Sequence, residues 1–333
     1  MTSAALSRLP VSVVIPVYNR AEILRRCLTS VWSQLPATPA EVIVVDDASD
    51  DGTPDVAESM GATVLRQSQN RGPAEARNRG MRAASHPWIA LLDSDDEWLP
   101  HHLAHLWGLR NGHVLAAGSA LNCGTDPAAD RFHGPVTRRP VILDGGDRLI
   151  SPGNMIPISG SLIRRDLALE VGGFRAHRGH VEDFDMWLRL LERGTAVCSP
   201  DVSVIYHVHD DQRSLEDQSL MRLATHDAAE AHRRRIGGSR SPIRRLEGIA
   251  AWDYLRAALR AGDRRGAFRW GLRIAAHPQS VAGLMSALTW RHGLRRRSTS
   301  LRAAGVSPSQ RGNPARRAQD LPPVAEEHSS LGS

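Results

Sequence analysis

Four acidic residues follow directly on a run of aliphatic residues in the stretch IALLDSDDEWLP, residues 89–100. Asp93 and Asp95 form a D-x-D pair, and both carboxylates point to the same side because side chains alternate along an extended chain. Two convergent carboxylates suit Mg²⁺ or Mn²⁺, which keep coordination positions open for phosphate oxygens. The alternative is a solvated acidic turn. Asp96 points the other way and is expected to brace the loop, and Glu97 is expected to start the next helix.

Other residues in the chain have side chains suited to binding or catalysis. Asp46 and Asp47 follow the run EVIVV, where a carboxylate can accept a hydrogen bond from a base or a ribose, or can simply cap a turn. Arg77 can pair bidentately with phosphate or carboxylate, and a solvated helix face is the alternative. Asp183, in EDFD, can take a proton from an attacking hydroxyl, or can cap a helix. His209 can ligate a metal or touch a diphosphate, although a lone histidine is more often a plain surface or core residue.

Alternating strand and helix patterns must position these side chains. The strand-like runs VSVVIPVY, EVIVVD, a short run at residues 62–65 and WIALLD alternate with segments of helical spacing. This alternation predicts an α/β fold with a mostly parallel central sheet flanked by helices. Ligands of such sheets bind at the carboxyl ends of strands. Polar clusters follow the first, second and fourth strands, beginning at Asn19, Asp46 and Asp93, so the sequence predicts one shared site.

The pattern changes after about residue 225, where segments of helical spacing are separated by glycine or proline. We expect a helical appendage there. The predicted organisation is a flexible N-terminus at 1–9, an α/β domain at 10–225, a basic helical region at 226–297 and a disordered tail at 298–333. The tail is rich in Pro, Ser, Gly and Arg and has too few apolar residues to form a core.

Charge is distributed unevenly along the 333 residues, whose net charge is +6. Residues 1–225 contain 22 Arg against 28 acidic residues, or −6, whereas residues 226–333 contain 20 Arg against 8, or +12. The acidic N-terminal part suits cations, and the basic C-terminal part suits an anionic surface such as lipid headgroups. Arg295 to Arg297 are expected to face such a membrane surface, with a solvated helical cap as the alternative. Few aromatic residues are available for base stacking, which disfavours nucleic acid as a partner.

Compartment is indicated by what the sequence lacks. No run of eighteen apolar residues predicts a spanning helix, and the first ten residues are too short and weakly apolar for a signal peptide. Three widely spaced cysteines are expected to be free thiols in a reducing compartment. We therefore expect a cytoplasmic protein, with peripheral contact at the inner face of the plasma membrane.

Several segments together resemble a known family. VVIPVYNR, VIVVDDASDDGT, NRGPAEARNRG, LLDSDDEW, GGF and EDFDMWLRL are similar, in order and spacing, to the successive motifs of the inverting family 2 glycosyltransferases, which have the GT-A fold. The resemblance covers about residues 10–215. It implies a GT-A domain with a C-terminal helical appendage, a UDP-, GDP- or dTDP-sugar donor and Mn²⁺ or Mg²⁺. It also implies a glycan or lipid-linked glycan acceptor in cell-surface polysaccharide synthesis.

The resemblance also implies roles for individual residues. Asp46, with Asp47, would contact the nucleobase or ribose. Asp95 would be a direct metal ligand, with Asp93 toward the ribose or the metal shell, and Asp183 would be the general base. His209, in YHVHDDQRS, would lie near the pyrophosphate as a further candidate metal ligand. The remaining donor-binding candidates are Pro16, Val17, Asn19, Gly72, Arg77, Ser94 and Glu182.

Two other functions use the same chemistry. A sugar-1-phosphate nucleotidyltransferase would also use a similar sheet and metal-binding carboxylates, but its glycine-rich loop after the first strand is replaced here by PVYNRAE. A non-catalytic nucleotide-sugar-binding protein is the other alternative, and the intact Asp93, Asp95 and Asp183 count against it. A processive polymerase is disfavoured because the Q-x-x-R-W motif is absent.

Overall fold

The structure, a computed structural model, describes residues 7–123, 131–150, 154–176, 180–208, 218–260 and 262–275. The strands are β1 Ser7–Val17, β2 Ala37–Asp46, β3 Thr63–Arg66, β4 Trp88–Leu91, β5 Glu97–Trp98, β6 Leu115–Cys123, β7 Arg131–His133, β8 Val141–Leu143, β9 Ser161–Arg164 and β10 Ala196–His207. The helices are α1 Ala21–Trp32, α2 Thr53–Ser59, α3 Pro73–Ala83, α4 His102–Leu109, α5 Asp147–Ile150, α6 Arg165–Glu170, α7 Glu182–Leu191, α8 Gln218–Ile236, α9 Ser241–Arg260 and α10 Arg264–Ala275.

The first four strands form the parallel half of one sheet, in the order β3-β2-β1-β4. β1 lies between β2 and β4, with Val17 opposite Asp46 and Val14 opposite Leu91. Residues 11–17 of β1 are all buried, which explains their unbroken apolar pattern. This half of the sheet brings the ends of β1, β2 and β4 to one edge, as the sequence predicts.

The other half of the sheet is mixed, in the order β4-β9-β6-β10-β5. β9 runs antiparallel to both of its neighbours, whereas β6 and β10 pair in parallel. β7 and β8 add antiparallel pairs at the flank. The predicted α/β class with flanking helices is confirmed, and the parallel pairing is concentrated in the N-terminal half.

Hydrophobic side chains pack on both faces of the sheet because successive β1 residues point to opposite sides. Val14 belongs to one buried cluster with residues of α3 and α7, including the fully buried Trp187. Val13 and Ile15 belong to another, with residues of α1 and α4. α3 approaches β1 closely at Gly80, where an added Cβ would lie 2.4 Å from a Val14 methyl. These two layers hold the strand ends rigidly.

The C-terminal helices α8, α9 and α10 agree with the predicted helical appendage, as far as the structure describes it. α8 packs against α7 and α9, so it continues the fold across the predicted boundary at residue 225. The predicted helix around Arg295 to Arg297 and the tail at 298–333 lie outside the described residues. No helix in the described part of the chain is long and apolar enough to cross a membrane.

Two expectations from the sequence are wrong. Residues 7–9 are not part of a flexible N-terminus, because Ser7, Arg8 and Leu9 extend β1 and pair with the start of β2. Glu97 does not start a helix: with Trp98 it forms β5, which pairs antiparallel with β10. α4 begins only at His102, after Pro100.

Candidate functional site

The loops after β1 and β2 are bonded to each other. Asn19 has a left-handed backbone (φ 49°), and its N–H donates to Ser49 Oγ at 2.9 Å. The Asn19 side-chain oxygen accepts from the Asp50 N–H at 3.0 Å, and the Arg20 N–H donates to Thr53 Oγ1 at 2.9 Å. Pro16 and Val17 are buried in the strand beneath this loop. The polar ends of the two strands therefore form one continuous surface.

Asp46 and Asp47 are both buried, but their carboxylates have different partners. Asp47 accepts from Gln67 Nε2 at 2.6 Å and from the main-chain N–H groups of Arg71 and Gly72 at 2.8 and 2.7 Å. It thus fastens the loop between β3 and α3 to the end of β2. One oxygen of Asp46 accepts from the Ser49 N–H at 3.2 Å. Its other oxygen, Oδ2, is buried without a hydrogen-bond donor, 3.5 Å from Arg66 Nε. One carboxylate oxygen of Asp46 thus accepts no hydrogen bond, whereas both oxygens of Asp47 do.

The carboxylates of the D-x-D pair are each held by an arginine. Arg77 Nη2 donates to Asp93 Oδ1 at 2.6 Å, and Arg20 Nη1 donates to Asp95 Oδ2 at 3.0 Å. Burial raises the pKa of the Asp93 carboxyl, and the Arg77 cation only partly offsets this rise. Ser94, between the two acids, is 5% exposed.

Asp96 faces the protein interior, as expected. It is fully buried, accepts from the Ser159 hydroxyl at 2.5 Å and from the His207 N–H at 3.3 Å, and so ties the turn to β10. Burial, followed by the nearby acids, raises the pKa of the Asp96 carboxyl well above its usual value. Glu97 lies 2.7 Å from His207 Nε2 and 3.1 Å from Arg26 Nε. Asp96 and Glu97 thus have structural partners of their own.

Arg77 links the D-x-D turn to the start of α7. Its side chain is 6% exposed, and Nη1 lies 3.6 Å from Glu182 Oε1 while Nη2 holds Asp93. The guanidinium also lies 5.6 Å from the centre of the Phe174 ring. The pKa of Arg77 is raised because the attraction of Asp93 and then of Glu182 outweighs the effect of burial. Arg77 therefore serves as a cationic bridge between two acidic groups.

Asp183 lies in the first turn of α7, where it is mostly buried but retains some exposed surface. Its Oδ1 accepts from the Phe184 N–H at 2.7 Å, and its Oδ2 accepts from Asn154 Nδ2 at 2.8 Å. Burial, followed by the charge of Glu182, raises the pKa of Asp183 to about 7, although those hydrogen bonds and Arg77 lower it. A carboxyl with this pKa can exchange a proton with a hydroxyl near neutral pH.

A side-chain amide connects α3 to the GGF segment. Asn78 Nδ2 donates to the Phe174 carbonyl and its Oδ1 accepts from the Phe174 N–H, both at 2.7 Å. Gly173 has φ 66°, and an added Cβ there would lie 2.4 Å from Asn78 Oδ1, so glycine is required. This amide clamp holds the segment before α7 against the helix that carries Arg77.

Replacing Asn78 with aspartate is expected to lower the free energy of unfolding by about 1–3 kcal/mol, because a buried carboxylate would face the Phe174 carbonyl without a donor. Urea unfolding measures this change. Asn70→Asp is the matched control, since the exposed Asn70 uses only its side-chain oxygen, which accepts from the Gly72 N–H at 3.2 Å. Equal stability of the two variants would show that the clamp does not stabilise the fold.

The structure brings most of the predicted residues to one edge of the sheet, but His209 lies outside the described residues. Asn154, Asn78 and Ser159 also contact the site, although the sequence does not predict them as site residues. Asn78 stands next to Arg77 in a segment whose arginines and glycines are the more evident binding candidates. Asn154 and Ser159 come from a Gly- and Pro-rich region without strand or helix periodicity, so no signal in the sequence marked them.

No group of three or more His, Cys, Asp or Glu side chains is placed to hold a metal within the described ranges. Asp93 and Asp95 nevertheless offer hard carboxylate oxygens at the end of a rigid strand. Mg²⁺ and similar cations are commonly held by one or two carboxylates together with substrate phosphates. The donor set therefore fits a divalent cation that binds together with a phosphate-bearing ligand.

Comparison with known proteins identifies relatives for the N-terminal part of the chain. Residues 12–172 match the model of the family described as "Glycosyl transferase family 2". Glycosyltransferase AglE of Haloferax volcanii is 33% identical over 186 residues, covering 51% of this chain and 58% of that protein. The pre-mycofactocin glycosyltransferase of Mycobacterium tuberculosis is 31% identical over 216 residues, covering 61% and 43%. The matched segments thus span less than two thirds of these relatives.

Solved structures share the fold at low sequence identity. TarS 1–349 of S. aureus, in complex with UDP-GlcNAc, has a TM-score of 0.51 at 17% identity, covering 78% of this chain and 89% of that one. The mannosyltransferase PcManGT from Pyrobaculum calidifontis, in complex with GDP-Man and Mn²⁺, has a TM-score of 0.50 at 20% identity, covering 88% and 87%. These similarities confirm the expected GT-A fold.

Proposed function

We propose that the chain is a family 2 glycosyltransferase that transfers a sugar from a nucleoside diphosphate sugar to an acceptor hydroxyl, and the match of residues 12–172 to that family's model supports this proposal. The observation that carries the proposal is the acidic chain from Asp93 through Arg77 to Glu182 and Asp183. Arg77 pairs with Asp93 at the strand end and lies 3.6 Å from Glu182, which is next to Asp183, the carboxyl with a pKa of about 7. Asp93, with its neighbour Asp95, suits a diphosphate with its cation, and Asp183 suits a hydroxyl.

The donor nucleotide is proposed to lie across the ends of β1, β2 and β4. Asp46 Oδ2, a buried acceptor without a hydrogen-bond donor, supports a contact with a base N–H or a ribose hydroxyl. Pro16, Val17, Asn19 and the other donor-binding candidates remain proposals for the same surface. UDP-, GDP- and dTDP-sugars are the donors to test.

Asp93 and Asp95 would hold Mn²⁺ or Mg²⁺, which when bound supplies positive charge to the departing diphosphate. Arg20 and Arg77 keep the two carboxylates oriented before any ligand arrives. His209 remains a proposed additional contact. The arginines thus pre-organise the carboxylates at the strand end.

Asp183 is proposed as the general base. The N–H groups of Phe184 and Asn154 hold its two oxygens, which fixes the direction in which a lone pair meets the acceptor. Asp183 takes the proton of the acceptor hydroxyl as the hydroxyl oxygen attacks the anomeric carbon from the face opposite the leaving group. Configuration inverts in a single displacement. A glycan or lipid-linked glycan is the proposed acceptor, in cell-surface polysaccharide synthesis.

The cytoplasm remains the proposed compartment. Cys27, Cys123 and Cys198 are all buried, and we propose that they stay reduced in the cell. We also propose that the chain is divided into an α/β domain at 10–225 and a basic helical region at 226–297. The basic region starts within α8, whose last turn carries Arg233, Arg234 and Arg235.

The general test is incubation with a panel of nucleotide sugars and candidate acceptors. We expect release of one nucleoside diphosphate and a product whose anomeric configuration, read by NMR, is opposite to that of the donor. Release of pyrophosphate from a nucleoside triphosphate and a sugar phosphate would instead identify a nucleotidyltransferase. Donor binding without turnover against every acceptor would favour a non-catalytic binding protein.

Asp95→Asn is expected to abolish the Mn²⁺-dependent part of donor binding, because it removes one of two carboxylate charges from the proposed cation site. The measurement is the rise in melting temperature that nucleoside diphosphates produce with and without Mn²⁺, since a ligand that binds only the folded state stabilises it. Asp55→Asn, at an exposed position in α2, makes the same charge change and should keep the full rise. An unchanged Mn²⁺ effect in Asp95→Asn would exclude Asp95 as a metal ligand.

A further inference from the structure

Helix α10 has one face that is already packed. Ala267 is buried, and Trp270 stacks on Tyr254 of α9 with ring centroids 4.7 Å apart and planes inclined by 15°. Trp252 and Leu255 of α9 complete this contact with Ala251. The inner face of α10 is therefore occupied by the α9–α10 hairpin.

The outward face of α10 is both apolar and basic. Phe268 is 70% exposed and Leu272 is 55% exposed, and since they are four residues apart they lie side by side on one face. Arg264 precedes Phe268 by one turn, and Arg265 and Arg269 form the adjacent row; all three are exposed. A pair of large apolar side chains between arginines is the pattern of a helix that lies in a membrane interface.

The surrounding sequence has the same sign of charge. From Arg264 to Gln319 there are 12 Arg and no Asp or Glu. A second copy would bring two positive faces together, which disfavours a contact between copies. Nucleic acid would satisfy the arginines but would leave the phenylalanine and leucine without an apolar partner. An anionic lipid surface matches both the charge and the apolar centre.

We propose that the outward face of α10 docks on an anionic lipid bilayer. Phe268 and Leu272 enter the boundary between headgroups and acyl chains, and Arg264, Arg265 and Arg269 contact headgroup phosphates. This contact holds the protein at a membrane surface through α10. It is independent of the sugar-transfer proposal, because binding to lipid needs neither donor nor metal.

The test is co-sedimentation of the full 333-residue chain with phosphatidylcholine vesicles that contain about one third phosphatidylglycerol, at low and high salt. We expect binding at low salt that weakens at high salt, and little binding to pure phosphatidylcholine. Phe268→Ser with Leu272→Ser should weaken binding by about tenfold or more, because two exposed apolar side chains lose their burial. Arg265→Gln with Arg269→Gln should also weaken binding to anionic vesicles by about tenfold.

Matched controls separate this face from general charge and hydrophobicity. Leu223→Ser removes another exposed leucine, from α8, and Arg138→Gln with Arg139→Gln removes two exposed arginines from the acidic N-terminal part. Both controls should bind as the original chain does, and circular dichroism checks that every variant is folded. Absence of vesicle binding, or equal binding by all variants, would overturn the proposal.

Two further measurements identify a different occupant. If sedimentation velocity shows a dimer that the Phe268 and Leu272 changes abolish, the face is a contact between copies and the membrane proposal fails. It also fails if these changes weaken binding to an oligonucleotide as much as binding to vesicles. Donor-induced stabilisation should be the same in all these variants. If donors do not stabilise the original chain, that result counts against the sugar-transfer proposal alone.

Discussion

Replacing Asp183 with asparagine is expected to lower the rate of sugar transfer by about 10²–10⁴-fold, because the amide cannot accept the proton of the attacking hydroxyl. Donor binding should persist, since Asp93 and Asp95 are unchanged. The measurement is turnover with a competent donor and acceptor, together with donor-induced thermal stabilisation. Asp166→Asn removes the same charge from an exposed position on α6 and should leave both readouts unaltered. Near-normal turnover in Asp183→Asn would exclude Asp183 as the base.

Asp183→Asn should raise the stability of the protein near neutral pH although it lowers the rate of sugar transfer. The pKa of Asp183 is about 7 in the folded protein, above the usual value of 3.8, so folding favours the protonated carboxyl. The original chain therefore loses stability as pH rises from about 4 to about 7, and this loss is complete above pH 7. Asp183→Asn cannot ionise, so it should melt at a higher temperature than the original chain at pH 8. The difference should shrink toward pH 4.

The same pKa sets the pH dependence of the reaction. Asp183 must be ionised to act as a base, so the acid side of the rate profile should fall with a midpoint near pH 7. Thermal melts of Asp183→Asn at pH 8 show whether low activity comes from unfolding. A variant that is stable but inactive supports a chemical role for Asp183, whereas a variant that melts early does not.

Replacing Arg189 with leucine is expected to lower the free energy of unfolding by about 3–5 kcal/mol, because the buried Asp185 carboxylate would lose the two charge-assisted hydrogen bonds that Arg189 donates to it. Both side chains are 3% exposed, and Arg189 Nη2 lies 2.6 Å from Asp185 Oδ2. Arg189 Nη1 also donates to the Val171 carbonyl at 2.7 Å, which ties α7 to the end of α6. The midpoint of urea unfolding measures the change.

The double variant Asp185→Leu with Arg189→Leu should recover much of that loss, since an apolar pair of similar size leaves no buried carboxylate without the Arg189 cation. Arg193→Leu is the control: its pair with Glu170 has the same kind of contact, at 2.9 Å, but both partners are about half exposed. We expect that change to cost at most about 1 kcal/mol. If the double variant were as unstable as Arg189→Leu, the loss of the Arg189 cation beside Asp185 would not be the cause.

The sequence predicts the strand ends well, because the carboxylates of the site follow buried, β-branched runs whose direction is set by alternating helices. It predicts Asp93, Asp95 and Asp183 as chemical groups, since each stands in a short contiguous motif. It does not predict their partners. Arg20 and Asp95 are 75 residues apart, and Asn154 and Asp183 are 29 apart, so only the fold brings them together.

Short elements account for the remaining differences. β5 has two residues, Glu97 and Trp98, and exists because β10 offers pairing partners, which no local pattern reveals. The same holds for β9, whose four residues give the mixed half of the sheet its antiparallel pairs. Asp46 and Asp47 are adjacent in sequence and equally acidic, yet one faces a loop that fills its oxygens and the other does not. Their separate environments follow from loop geometry alone.

The amide clamp at Asn78 carries no ionisable group, although it lies beside charged contacts. Its two hydrogen bonds to Phe174 therefore keep the same strength from acidic to alkaline solution and are insensitive to salt. The two parts that it joins, the helix bearing Arg77 and the segment before α7, stay in register over that whole range. A titration of catalytic rate should then contain no contribution from loosening of this clamp.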